Sequence, residues 1–415
     1  MDNADIAQLV RDQIPTWKEK IDFSQIQVKE VSGLGGSKTY KVSLAVNEPS
    51  SCSVEPTAVA FQVRADCNLA LLEERNIAAG SALAGAKIAP TRLVEDPVKG
   101  NWCIDEWGGE AIFENFEGPG CKAEAAGVAA VEAMVEWSHR GEFRELMGHL
   151  LGRIHCIPTD WADKFVASKP FLLNGKFPTL GCLGMKTLQE QSLDDMPPLM
   201  LGRWGSAIDI LSLSITNALA KRAVTLHADF HGGNILIARD ATVAGGTNPA
   251  KKMKPRLCAI DCEFANIGEA KFDLGYAFMV NKALLSNAAN KRSFVKGYVE
   301  AVTAGLEESF QDYGTLRDIE NEHDLTLRDI ENLLIDCELA SVFAWPPNDF
   351  IGVPDTDVAT FETLLKRLVE FCEAARVPTE KDGPLKETEA SNLREELLDK
   401  GWVALLNEWH AGGAK

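Results

Sequence analysis

Two stretches of the 415-residue chain carry side chains suited to chemistry, LHADFHGGNILI at 226–237 and AIDCEFANIGEAKFDLGYAF at 259–278. Within them, Asp229, Asn234 and Asp261 are the residues that phosphoryl transfer to a hydroxyl needs. The hydroxyl requires an acceptor for its proton, which a carboxylate such as Asp229 supplies. The migrating phosphoryl group requires magnesium, a hard cation that takes oxygen ligands, and both the Asn234 carbonyl oxygen and the Asp261 carboxylate are of that kind. Short apolar runs at 235–237 and 257–260 flank these residues, and two short strands there would hold all three at one mouth. Taken singly, Asp229 reads better as a turn former and Asn234 as a cap at the start of a strand. Their order, together with Asp261-x-Glu263, favours catalysis. His227 reads as a loop-ordering hydrogen-bond residue and Asp273 as an acceptor for backbone donors of the loop, while His231 receives no role.

The H-x-D-x-x-x-x-N loop (His227, Asp229, Asn234), the D-x-E pair (Asp261, Glu263) and the later Phe272-Asp273-Leu274 resemble the aminoglycoside-phosphotransferase and choline-kinase superfamily. Both methylthioribose kinases and choline/ethanolamine kinases share this pattern. The resemblance implies an α+β, two-lobed protein-kinase-like fold, with a small β-rich lobe at 1–108 and a larger, mostly helical lobe at 109–415. It also implies ATP and magnesium as cofactors, and a small-molecule alcohol or sugar as acceptor. Asp229 and Asn234 would be catalytic, and Asn234, Asp261 and Glu263 would hold magnesium. Residues 30–44, EVSGLGGSKTYKVSL, look like the strand, glycine loop and strand that cover ATP phosphates, which assigns Gly33, Gly35, Gly36 and Ser37 to that task. Residues 102–107, WCIDEW, sit where a hinge would offer backbone hydrogen bonds to adenine, with Asp105 and Trp107 beside the nucleotide. Residues 337–345, CELASVFAW, look like the choline-kinase helix that lines the acceptor pocket, where Trp345 would face a cation. The Pro346-Pro347 that follows departs from that family.

A second departure lies in the third strand, Val59-Ala60-Phe61-Gln62-Val63-Arg64, where the family's phosphate-pairing cation is replaced by Gln62. Side chains alternate along a strand, so Ala60, Gln62 and Arg64 share one face. Either Arg64 reaches the phosphates from one pleat further along, paired with Glu74 or Glu73, or the nucleotide site is weakened. Gln62 also favours an alternative of another class, a non-catalytic nucleotide-binding pseudokinase. An aminoglycoside-type acceptor is a further alternative.

The positioning elements are legible as patterns. The first hundred residues read mostly as strands: 25–31 and 39–45 as a glycine-tipped hairpin, 57–63 as a third strand and 102–106 as another, with a helix at 69–84. Phe143, Leu146, Met147, Leu150, Leu151 and Ile154 form the apolar stripe of one helix. A long helix is expected over 199–221, and a loop insertion over 238–256. TLRDIENEHDL at 315–325 is repeated as TLRDIENLLID at 326–336, and an 11-residue repeat can lengthen one helix without turning its face. Residues 376–392 read as a loose polar linker, followed by a last helix ending near Trp409.

Composition closes off other classes. The formal charge of −19 argues against nucleic acid or an anionic membrane as the main partner. The ten cysteines include no C-x-x-C pair, which favours reduced thiols in a reducing compartment. The start, MDNADIAQLVRDQIP, lacks the pattern of a signal peptide, and no 18-residue apolar stretch exists. A cytoplasmic location is expected.

Overall fold

The computed structural model describes residues 1–32, 38–45, 54–63, 70–96, 102–111, 140–162, 206–207, 209–238, 256–262, 264–282, 284–309, 326–344 and 357–413. The chain opens on helices rather than strands. Asp2 caps α1 (Asn3–Gln13) through a reciprocal box with Asp5. Pro15 starts α2 (Pro15–Lys20) at the position where a missing N–H does no harm. Ile6, Val10, Ile14 and Trp17 recur at helical spacing and are buried against Tyr40, Val42, Val59, Phe61 and Ile104. Trp17 Nε1 donates to the Pro56 carbonyl at 2.7 Å.

Those partners belong to a five-stranded antiparallel sheet: β1 (Ile26–Ser32), β2 (Lys38–Leu44), β3 (Ala58–Val63), β4 (Arg92–Glu95) and β5 (Trp102–Glu106), in the order β1-β2-β3-β5-β4. Strand alternation turns Tyr40, Val42, Val59, Phe61 and Ile104 to the α1–α2 side, so their neighbours Lys41, Ala60, Gln62, Cys103 and Asp105 face the other way. That second face is the inner face of the sheet. The expected strands and the helix at 69–84 are present; β4 was not expected.

The helix α3 (Ala70–Gly85) follows the third strand in sequence but packs with the larger part. Ala79 and Leu83, with Ile88 and Ala89 beyond the helix, lie in the large core. Arg153 Nη2 donates to the Ala86 carbonyl at 2.6 Å, and Ala259 N–H donates to the Ile88 carbonyl at 2.8 Å.

The larger part is mostly helical. The predicted stripe at 143–154 lies on α4 (Arg140–His155), which packs on α6 (Ala288–Ser309); between them in sequence comes α5 (Lys271–Val280). The α4–α6 approach depends on glycine: a Cβ on Gly148 would lie 1.8 Å from the Phe294 carbonyl oxygen, and one on Gly297 at 1.8 Å from that of Glu145. Every residue of α5 is buried, and Gly275 lets it close on α7 (Leu327–Ser341), where a Cβ would meet the Ala340 carbonyl carbon at 2.4 Å. Three further helices, α8 (Val358–Ala375), α9 (Pro384–Lys400) and α10 (Trp402–Gly413), complete this core. The architecture is thus the two-lobed α+β one, a small sheet lobe beside a larger helical lobe.

Two expectations change. The helix over 199–221 is broken: among the described residues 209–214 are helical, 215–217 are not, and Asn217 caps a new turn, Ala218–Lys221. The break is held by Asp336, whose carboxylate accepts from Thr216 N–H at 3.4 Å and Asn217 N–H at 2.7 Å. Much of the supposed linker at 376–392 is helix α9, begun by a Thr379–Asp382 box and by Pro384 in its first turn. Its polar sequence reflects a mostly exposed surface around buried Ala390, Arg394, Leu397 and Leu398. The second copy of the duplication opens α7, capped by Thr326 and Asp329; the first copy lies outside the described residues, as does the insertion at 238–256 apart from its end residues, Ala238 and Arg256, which belong to strands.

No disulfide links the described cysteines, of which Cys103, Cys258, Cys262, Cys337 and Cys372 are buried. Burial pushes the Cys262 thiol up to about 12. No described helix is long and apolar enough to cross a membrane.

Candidate active site

Four short strands frame the loop at 227–234. The strand β7 (Ala223–Leu226) pairs with β10 (Asn266–Glu269), and β8 (Ile235–Ala238) pairs with β9 (Arg256–Ala259). The loop leaves β7 at His227 and reaches β8 through a tight turn at Gly232–Asn234. Ala228 adopts φ +63°, a left-handed conformation that a side chain disfavours, so neighbouring bonds must hold it. Asp273 supplies them: its Oδ2 accepts from His227 N–H at 2.6 Å and its Oδ1 from Ala228 N–H at 2.8 Å. Behind it, His155 Nε2 lies 3.1 Å from Asp273 Oδ2, and His155 Nδ1 lies 2.9 Å from the Tyr298 hydroxyl.

The same helix, α5, grips the loop twice more. Asn281, just past its end, accepts from Gly232 N–H at 3.0 Å and donates to the Phe230 carbonyl at 3.1 Å. Between these anchors the Tyr276 hydroxyl donates to Asp229 Oδ1 at 2.6 Å. Positions 273, 276 and 281 recur near the helical period, so one stripe of α5 meets successive parts of the loop.

Asp229 is 4% exposed. Its Oδ2 accepts from Asn234 Nδ2 at 2.9 Å and lies 3.5 Å from His231 Nε2. Asn234 Nδ2 also donates to the Asp229 carbonyl at 3.1 Å. Two oxygen neighbours assign the amide nitrogen to that side, which turns Asn234 Oδ1 away from Asp229, as a metal ligand requires. His227 accepts from Asp229 N–H through Nδ1 at 3.3 Å and donates from Nε2 to the Ile260 carbonyl at 2.9 Å. Burial pushes its pKa down, so the imidazole is neutral and serves to order the loop.

Asp261 reaches the same end of the strands. Ile235 pairs with Ala259, and Ile260 N–H donates to the Asn234 carbonyl at 2.9 Å, which sets Asn234 and Asp261 at adjoining strand ends. Asp261 has φ +62° and an exposed side chain. Among the described residues no group of three or more His, Cys, Asp or Glu side chains is placed to hold a metal. The oxygens present, an Asn carbonyl and a carboxylate, are nevertheless of the type magnesium takes.

The remaining predicted residues divide. Gly33, Gly35, Gly36, Ser37, Arg64, Glu263 and Trp345 lie outside the described residues, as does the side chain of Glu74. Gln62 lies on the inner face of the small sheet, where Cys103 Sγ donates to its Oε1 at 3.5 Å. Asp105 is engaged by Arg92, whose Nε and Nη2 donate to it at 2.9 and 3.4 Å. Trp107 lies under Lys41, with Nζ 4.5 Å from its ring centroid. The chain then crosses to the strands beside the 227–234 loop: a Cβ on Gly108 would lie 2.9 Å from Leu236 Cδ1, and β6 (Glu110–Ala111) pairs with β8. Sequence reasoning missed Tyr276, Asn281 and Lys41. For the first two a signal existed, polar groups at helical spacing after Asp273 on an otherwise apolar segment.

No protein-family model matches the sequence, and no curated protein matches it. Solved structures do align over nearly the whole chain. A choline kinase from Cryptosporidium parvum is 15% identical, covers 98% of this chain and 99% of its own, and has a TM-score of 0.46. An ethanolamine kinase from Plasmodium vivax is 13% identical, with 89% and 95% coverage and a TM-score of 0.44. A choline/ethanolamine kinase family protein from Mesorhizobium loti is 13% identical, with 94% and 98% coverage and a TM-score of 0.41.

Proposed function

We propose that the chain is an ATP- and magnesium-dependent kinase that phosphorylates a hydroxyl of a small molecule, either a choline- or ethanolamine-type amino alcohol or a methylthioribose-type sugar. The observation that carries this reading is the buried Asp229 carboxylate, bonded by Tyr276 and Asn234, at the strand ends that also carry Asp261. Asp229 orients the acceptor hydroxyl and takes its proton. Asn234 Oδ1 and Asp261, with Glu263, hold magnesium. The metal, when bound, neutralises charge on the phosphate oxygens. The small lobe, to about residue 108, covers the nucleotide with its 33–37 loop, and the remainder carries catalysis and the acceptor.

ATP turnover against a panel of alcohols, with and without magnesium, tests the reading. Activity on at least one amino alcohol or sugar is expected, and Asp229→Asn should lower kcat roughly 10²–10⁴-fold while retaining nucleotide binding. Unchanged turnover in that variant refutes the assignment. Gln62 favours a second reading, a pseudokinase, which a magnesium-dependent nucleotide shift without turnover on any acceptor would establish.

A further inference from the structure

The third strand carries Gln62 where a phosphate-pairing cation is expected, and the sheet register shows where other cations stand. One row crosses all five strands: Lys29 pairs with Lys41, Lys41 with Ala60, Ala60 with Asp105, and Asp105 with Arg92. Residues paired in antiparallel register point to the same face. The row therefore lies on the inner face with Gln62, opposite the side where Tyr40, Val42, Val59 and Phe61 are buried. Its one carboxylate, Asp105, is engaged by Arg92 at the far edge. Lys29 and Lys41 stand opposite each other in the register, so two cationic side chains share this part of the face. The chain has 61 acidic and 42 basic residues, so bulk composition does not produce such a row.

Lys41 is half-buried, and its ammonium lies over the Trp107 ring. Trp107 adjoins Gly108, where a Cβ would lie 2.9 Å from Leu236 Cδ1 of β8, the strand that begins directly after Asn234. The ammonium is thus held where the sheet meets the catalytic strands.

We propose that Lys41, on β2, is the cation that pairs with the nucleotide phosphates, in place of a residue on β3; this rests on the kinase reading above. The Trp107 ring keeps the ammonium in position, and a charge-assisted bond to a phosphate oxygen is the stronger contact when a nucleotide binds. Lys29 adds a second positive charge beside it.

Calorimetric titration with MgATP and with adenosine decides the matter. Lys41→Met should weaken MgATP binding about tenfold or more, with adenosine binding unchanged within about twofold, because the lost contact is to phosphate. Lys41→Arg should fall between the parent and Lys41→Met. Adding Gln62→Lys to Lys41→Met should recover affinity by moving the charge to the neighbouring strand of the same face. Parent-like MgATP affinity in Lys41→Met overturns the inference, as does a loss confined to Arg64→Met. Equal loss of adenosine binding in Lys41→Met also overturns it, since that marks structural damage. A parent that binds MgATP but phosphorylates no alcohol sinks the kinase reading alone; one that binds no MgATP sinks both.

Discussion

Tyr276 gives the proposed active-site loop a feature that the motif does not contain. Its hydroxyl bonds Asp229 Oδ1 while Asn234 bonds Oδ2, so the carboxylate plane is set from both sides. A hydrogen bond to a charged group is worth enough that its loss is felt about 10–100-fold. Tyr276→Phe should therefore lower kcat by about that factor and leave the KM for ATP within about twofold. Steady-state kinetics check this, and a change in KM alone would show that Tyr276 serves binding instead. At this scale the sequence was readable where spacing is short. His227, Asp229 and Asn234 lie within eight residues, and the structure joins them through local bonds. Tyr276 lies 47 residues from its partner. Lys41 meets Trp107 only through sheet register. Such pairings follow from tertiary packing, which a local pattern does not encode.

Helix α5 is the element on which the site depends, and its position is set by close approaches of backbone to backbone. Gly275 brings it against α7, as Gly148 and Gly297 bring α4 against α6. Gly148→Ala would place a methyl group inside the contact distance of the Phe294 carbonyl, and a backbone neighbour cannot turn aside as a flexible side chain can. The substitution should destabilise by roughly 1–3 kcal/mol or more, read as a fall in melting temperature. A melting temperature equal to the parent's would mean that the two helices separate freely. The stripe on α4 announced that helix and its buried face correctly. Apolar periodicity alone did not reveal the break at 215–217, because Asp336, far along the chain, takes the amide protons that a continuous helix would use. Nor did it reveal α9, whose polar surface resembles a linker until its few buried positions are seen.

Among the described residues, most buried apolar side chains fall into two clusters, one under α1, α2 and the small sheet and one that fills the helical lobe and takes in α3. Trp17 is fully buried in the smaller cluster. Trp17→Ala should cost about 3–5 kcal/mol there and leave the larger core nearly untouched, so that one broad unfolding transition separates into two. A single, uniformly shifted transition would show that the lobes unfold as one. The buried thiols provide the means to read this. Cys103 lies in the small sheet, and Cys262, Cys337 and Cys372 in the large core. A thiol reacts only as an exposed thiolate, and burial holds those of Cys262 and Cys337 well above their usual range. The folded protein therefore carries its own clock. With an alkylating reagent present and each cysteine followed by peptide mass spectrometry, Cys103 would be labelled when the sheet opens and the other three only when the helical lobe gives way.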